Sequence, residues 1–250
     1  MIRPLAVFCL VLLLWESACR LMDIPPALLP PPSAVGPALG ELVTVGMPPG
    51  KALPLHAWHS LGRVSVGVGL AVLLGVPFGL ALGASARLCS LIMPLVNFLR
   101  PIPPLAWVPL AILWFGLGLT SAAYLIFLGA FFPVVLATCS GVRNVDILYI
   151  DAVRLLGATR LGIWRKVLLP GAMPSILTGI QVGMGIGWMT LVAAEFTGVR
   201  NGYGLGYMIM SARDLQRTDE VIAGMVTIGI IGLGMEWLMR RFTNRILRWQ

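Results

Sequence analysis

Apolar runs long enough to cross a lipid bilayer recur along this chain, and most of its charged residues lie between them. A helix needs about 20 residues to cross the ~30 Å hydrocarbon layer. Only 11% of the residues are charged, whereas soluble domains carry roughly 25%, so lipid surrounds most of the chain. We therefore predict an all-α, polytopic membrane protein with about six transmembrane helices. The predicted spans are residues 4–22, 61–84, 91–117, 121–139, 174–196 and 221–239.

The first 60 residues differ in composition from the rest of the chain. Their apolar start resembles a signal peptide, but the run continues without a small-residue cleavage site, so we predict an uncleaved first span. An uncleaved signal anchor has the same physical pattern. Residues 24–54 are rich in proline and predict an external loop with short helical pieces. We divide the chain accordingly into residues 1–60, a helix and a Pro-rich loop, and residues 61–250, the membrane core.

Lysine and arginine are distributed unevenly across the predicted membrane. With six spans both termini lie on one side, together with the loop at residues 141–169. That side receives eleven Lys or Arg residues and the other side six, with Arg100 left unassigned. Because cytoplasmic loops carry an excess of these residues, we predict that both termini and the loop are cytoplasmic.

Several classes of function lack the residues that they need. The net charge is +8, but the basic residues lie between apolar runs and not on one face with aromatic side chains, so no nucleic-acid partner is predicted. The four cysteines have no metal-ligand spacing, and His56 and His59 have no Cys or carboxylate neighbours, so we predict no metal site. No catalytic constellation is visible within the spans, and we do not expect an enzyme.

Proline interrupts the third predicted span. Pro101, Pro103 and Pro104 remove backbone donors and bend the chain directly after Arg100. Non-helical backbone at membrane depth occurs where it is buried in protein or lines a cavity, which makes this break a candidate pathway element. The alternative is a boundary between an interfacial helix and a short span. Arg100 either offers an anion a transient positive site or extends its side chain to the membrane interface.

The loop at residues 141–170 carries the most specific pattern in the chain. It predicts two short helices, the first capped by Asp146 and stopped by Gly157, the second ending at Pro170. We expect four apolar positions of the first helix to pack back onto the spans: Ile147, Ile150, Val153 and Leu156. An ordinary amphipathic interfacial helix is the alternative.

Spacing within this loop follows a known signature. It reads Asp151-Ala152-Val153, three residues, Gly157, nine residues, Val167, one residue and Leu169-Pro170. This resembles the signature loop of the permease subunits of bacterial ABC importers, E-A-A-x3-G-x9-I-x-L-P, with Asp for Glu, Val for the second Ala and Val for Ile. The resemblance implies that the loop docks on a separate ATPase subunit. The coupling residues would be Asp151, Ala152, Val153, Arg154, Gly157, Ala158, Leu169 and Pro170.

The resemblance also implies the fold of this chain and the subunits of the complete transporter. The fold would be that of a type I ABC importer permease in a bacterial inner membrane, with residues 61–250 as the permease core. The partners would be a second copy of the chain, two ATPase subunits and a substrate-binding protein. This chain has no G-x-x-x-x-G-K-[ST] phosphate loop, so it needs no cofactor itself, and ATP and Mg would bind the ATPase partner.

Three further segments indicate which branch of this family the chain resembles. They are Arg-Pro-Ile-Pro-Pro-Leu-Ala-Trp at 100–107, Ile-Leu-Trp-Phe-Gly at 112–116 and Leu-Val-Ala-Ala-Glu at 191–195. They are similar to the taurine, alkanesulfonate and nitrate branch of the family, which implies import of a small anion. Taurine or another sulfonate is the first candidate, and nitrate, bicarbonate, cyanate or a pyrimidine-type heterocycle are alternatives. The candidate pathway or gate residues are Arg100, Pro101, Pro103, Pro104, Trp107 and Glu195.

Glu195 has two interpretations. An acidic residue at membrane depth is a functional candidate, either as a gate or in a structural pair. Alternatively it lies at the headgroup boundary, where water or Arg200 would satisfy it. A secondary transporter remains the rival function, although the Arg100–Pro104 break has no second copy and no acidic residue lies in mid-span.

Overall fold

A computed structural model describes residues 2–196 and 202–247. Within these ranges the secondary structure is helical, without strands. A 3₁₀ turn, Pro104–Trp107, precedes α5, and a π turn, Trp164–Leu168, precedes α9. The helices are α1 (Ile2–Leu21), α2 (Pro32–Thr44), α3 (Leu53–Ala84), α4 (Ala86–Leu99), α5 (Val108–Phe115), α6 (Leu119–Arg143), α7 (Ile147–Leu155), α8 (Arg160–Ile163), α9 (Leu169–Phe196), α10 (Leu205–Asp214) and α11 (Thr218–Ile246).

The lengths of these helices agree with the predicted membrane architecture. Among the described residues, four helical stretches are long and apolar enough to cross a bilayer: Leu53–Ala84, Leu119–Arg143, Leu161–Phe196 and Thr218–Ile246. Helix α4 and the segment Pro104–Phe115 together form a fifth, bent by 83°. Helix α1, with 20 residues, occupies the predicted first span. The all-α fold with about six spans is therefore confirmed.

The chain divides into two compact units, and the first comprises Met1–Leu61 and Gly198–Ile231. Within this unit Arg217 forms three ion pairs. Its guanidinium binds the carboxylates of Glu41 and Glu220 at 2.8 Å and that of Asp219 at 3.3 Å. These pairs join α2 to the start of α11. They also raise the pKa of Arg217 above its ordinary value, chiefly through the hydrogen bond to Glu41.

The second unit comprises Gly62–Thr197 and Gly232–Gln250 and is built around α6 and α9. Glycines allow other helices to approach α6 closely. A Cβ atom on Gly79 of α3 would lie 2.6 Å from the Cβ atom of Thr138, and one on Gly83 equally close to that of Val142. At the contact between α9 and α6, a Cβ atom on Gly183 of α9 would lie 2.9 Å from the carbonyl oxygen of Ala130. The small-residue spacing of Gly75, Gly79 and Gly83 in α3 thus marks helix packing.

The predicted end of a helix at Pro170 is wrong. The π turn leads without interruption into α9, so that one helical stretch runs from Leu161 to Phe196. A proline inside a helix lacks an N–H donor and clashes with the carbonyl four residues earlier. The wider π turn immediately before Pro170 changes the hydrogen-bond register at this point, which accommodates the ring. The loop at 141–170 is therefore continuous with a long membrane helix.

The predicted division between residues 60 and 61 differs from the boundaries of these units and stays a prediction.

Candidate functional site

Helix α7 has well-defined ends because both of its predicted caps form. The Asp146 side chain accepts a hydrogen bond from the Leu148 N–H at 2.9 Å, as an N-cap residue does. At the other end Gly157 adopts φ +77°. Its N–H donates to the Arg154 carbonyl, and the N–H of the next residue donates to the Val153 carbonyl. This pair of bonds is a Schellman motif, in which glycine avoids the cost of the left-handed conformation.

The buried face of α7 is narrower than predicted. Ile150 and Val153 pack against the core cluster formed by α6, α8 and α9, as does Ala158. Ile147 and Leu156 do not, since 66% and 85% of their surfaces are exposed. The reason is their position at the ends: Ile147 starts the first turn, and Leu156 follows the last helical residue. The prediction that all four residues pack onto the spans is therefore wrong for these two.

The outer face of α7 is apolar and unusually exposed. Leu148, Tyr149 and Leu155 expose 70%, 67% and 89% of their surfaces. Ala152, also on this helix, is small and exposed. Within the described chain α7 thus presents an apolar surface with a small residue in its middle, which is typical of an interaction site.

Charged and terminal residues of the signature occupy different parts of the loop. Asp151 and Arg154 form an exposed ion pair at 3.1 Å, which stabilises α7 only slightly. Leu169 and Pro170 are half-buried in the first turn of α9. The structure thus divides the eight predicted coupling residues between α7 with the turn after it and the base of a membrane span.

The proline break lies beside a cavity of about 510 Å³ in the second unit. Of the predicted pathway residues, Arg100, Pro104 and Trp107 line it, whereas Pro101 and Pro103 are exposed residues outside its lining. Helices α6 and α9 supply the remaining wall: Leu128, Gly129, Phe132, Pro133, Leu136, Ala137, Thr178, Gly179, Val182 and Ile186, together with Ile102 of the break. The structure therefore brings the break together with the two central helices.

Glu195 is separate from this cavity and is deeply buried. It exposes only 1% of its surface and forms an ion pair with Arg63 of α3, with an N–O distance of 2.6 Å. Solvent exposure of Glu195, one of the two interpretations, is therefore wrong. Arg200, the suggested partner, lies outside the described residues.

Arg63 is the residue that sequence reasoning missed. It is one of the six Lys and Arg residues that the charge distribution assigns to the external side, yet it exposes only 3% of its surface. Its position inside an apolar, glycine-rich helix was the available signal, because charged residues in membrane helices usually face a partner in the protein interior.

Clusters of metal-binding side chains are not found among the described residues. His56 lies in the first unit, where its Nδ1 accepts a hydrogen bond from the Gly204 N–H at 3.0 Å.

Comparison with known proteins extends these observations. A family model described as "Binding-protein-dependent transport system inner membrane component" matches residues 71–248. The taurine transport system permease protein TauC of Escherichia coli (strain K12) is 39% identical over 96% of this chain and 86% of its own length. The nitrate import permease protein NrtB of Leptolyngbya laminosa is 34% identical over 75% of this chain and 67% of its own length.

A solved structure supports the fold. The inward-facing MetNI methionine ABC transporter superposes with a TM-score of 0.63 and 24% identity, covering 77% of this chain and 93% of the matched chain. Together the apolar helices, the signature loop and these matches lead to one conclusion: the chain belongs to the binding-protein-dependent transport system inner membrane components and is the multi-pass permease subunit of an ABC importer.

Proposed function

We propose that this permease passes a small organic anion into the cytoplasm, with taurine or another sulfonate as the substrate. The observation that carries this proposal is the 39% identity with a taurine permease along almost the whole chain. The similarity to a nitrate permease makes nitrate an alternative. Bicarbonate, cyanate and pyrimidine-type heterocycles follow it.

Energy for transport would come from a separate ATPase subunit that docks on α7. The exposed apolar side chains of Leu148, Tyr149 and Leu155 support this proposal, because burying them in a groove removes apolar surface from water. Gly157 gives the helix a sharp end, and Ala152 keeps the middle of its outer face narrow. ATP and Mg would bind the partner, so this chain acts as a transport subunit and not as an enzyme.

The continuous helix from Leu161 to Phe196 supplies a mechanical route from this docking site into the membrane. Ile150 and Val153 attach α7 to the same core cluster as Leu168 and Ala172 of this helix. Movement of a docked ATPase subunit would therefore displace α7 and the base of α9 together. We propose that this displacement alternates the pathway between inward-open and outward-open states.

The complete importer would contain two copies of this chain in the lipid bilayer of an inner membrane, two ATPase subunits and an external binding protein. Both termini and the loop at 141–170 would face the cytoplasm, in agreement with the excess of Lys and Arg there. The pair of Arg63 with Glu195 favours a structural role for Glu195, since its carboxylate is held by a fixed charge.

Uptake measured in cells tests this proposal directly. The permease is expressed with the ATPase and binding protein encoded beside it, in a bacterial strain that lacks its own taurine uptake. We expect the ATPase subunit to co-purify and labelled taurine to enter the cells. A control in which the phosphate-loop lysine of the ATPase is replaced should abolish uptake. Equal uptake without the ATPase subunit would indicate a secondary transporter, and uptake of nitrate alone would refute the sulfonate assignment.

A further inference from the structure

We infer that the cavity beside the proline break is a substrate site in this chain, with Arg100 as the residue that contacts the anionic group. The inference rests on the proposed function, because it takes an anion as the transported molecule. It goes further by placing a weak binding site in the permease itself, in addition to the site on the binding protein.

The charge of the cavity is the first argument. Arg100 is the one charged side chain among its described lining residues, and the lining contains no carboxylate. In the part of the chain that the structure describes, Arg100 also forms no ion pair, although six other arginines do. The cavity therefore carries one positive charge that no neighbouring carboxylate neutralises. Such a site attracts anions and repels cations.

The size and lining of the cavity suit a small organic anion. Its volume of about 510 Å³ falls within the roughly 300–1,000 Å³ range of small-molecule sites. Trp107 and Phe132 supply aromatic surface, Val182 and Ile186 aliphatic surface. An alkanesulfonate has a charged head and a short apolar body, so the guanidinium and the apolar wall complement its two parts.

The wall opposite the break is closely packed, which keeps the cavity in place. A Cβ atom on Gly129 of α6 would lie 3.2 Å from Ile186 Cγ2 and 3.4 Å from Pro104 Cγ. The break therefore touches α6 directly at this point, and α9 lies against the same glycine. Irregular backbone at membrane depth is stable where it lines such a cavity, as the backbone at Pro104 does here.

A single arginine is also appropriate for transport. Conduction requires a site attractive enough for the substrate to enter and weak enough for it to leave. One guanidinium without further charged partners meets this condition, whereas several would hold an anion too long. The binding protein can then set selectivity, while Arg100 lowers the barrier for the anion within the membrane.

Uptake of labelled taurine by proteoliposomes containing the complete importer tests the inference. Arg100→Gln should reduce the maximal uptake rate about tenfold or more, since a charge-assisted hydrogen bond is lost. Arg100→Lys should retain a larger part of the rate because it keeps the charge. Arg87→Gln is the matched control and should transport normally, because Arg87 is an exposed residue outside the cavity lining, at the start of the helix α4 that ends directly before Arg100. Co-purification of the ATPase confirms that each variant assembles.

Three outcomes are distinguishable in this experiment. If Arg100→Gln transports within twofold of the wild type, the site assignment is wrong. If its defect appears only in vesicles containing phosphatidylglycerol and not in pure phosphatidylcholine, Arg100 acts through an anionic lipid, and the assignment is likewise wrong. If the wild type imports nitrate instead of taurine, the sulfonate proposal fails, and the same variants measured with nitrate still decide whether Arg100 contacts the anion.

Discussion

The buried ion pair between Arg63 and Glu195 should stabilise the fold only while both partners are present. The N–O distance is 2.6 Å, and the side chains expose 4% and 0% of their surfaces. At an effective dielectric constant of about 20, two unit charges at this distance attract each other by about 6 kcal/mol. Desolvation offsets part of this, but removing one partner leaves a buried charge uncompensated. We expect Glu195→Leu or Arg63→Met to cost about 3–5 kcal/mol.

Replacing both residues should cost much less than replacing either one. The double variant Arg63→Met/Glu195→Leu leaves no buried charge, and an apolar pair of similar volume is often neutral or stabilising. The measurement is the free energy of unfolding of the detergent-purified protein, from a dodecyl sulfate titration followed by circular dichroism. A double-mutant cycle then gives the coupling energy of the pair, which we expect to exceed about 2 kcal/mol.

An exposed pair in the same unit provides the matched control. Arg240 and Glu236 also lie 2.6 Å apart, but their side chains expose 67% and 44% of their surfaces. Glu236→Gln should cost only about 0.3–0.5 kcal/mol, as for other exposed pairs at this helical spacing. The reasoning is refuted if the control costs as much as the buried variants, or if the costs of the two single variants simply add in the double variant.

Three further predictions concern backbone and packing. Gly157→Val should uncouple ATP hydrolysis from uptake, because the left-handed backbone conformation costs a residue such as valine about 1–2 kcal/mol of free energy. Gly157→Asn should remain coupled. A comparison of the ATPase and uptake rates checks both variants. Gly79→Ala should lower the melting temperature of the purified protein, since its Cβ meets Thr138 at 2.6 Å, whereas Gly69→Ala, with no atom within 4 Å, should not. Asp146→Ala should destabilise α7 by about 1 kcal/mol through the lost cap, measured as faster amide hydrogen exchange in that helix.

Features that depend on neighbouring residues were predictable from the sequence. The caps of α7 at Asp146 and Gly157 form as expected, because capping involves hydrogen bonds within a few residues. The Pro170 prediction failed for the opposite reason. Whether a proline ends a helix or is accommodated depends on the hydrogen-bond register before it. That register is set here by a π turn whose Leu168 is packed in the core.

The proline break illustrates a partial success. Three prolines after Arg100 predicted a bend, and the two helical segments are indeed inclined by 83°. The residues that turn this bend into a cavity come from α6 and α9, which are distant in sequence. Nothing in the local pattern selects these two helices, because helix packing in membranes depends on close contacts between small residues on both partners.

The sequence by itself determined that this chain resides in lipid, that it crosses about six times and which loop carries the permease signature. These properties follow from local hydropathy, charge and spacing. Only the tertiary structure decided that Arg63 meets Glu195, 132 positions away, and that Arg100 faces a cavity between the break and the central helices. Arg63 and Glu195 need each other because a buried charge is stable only when it is paired. Long-range packing, and not the local sequence, brings that partner into position.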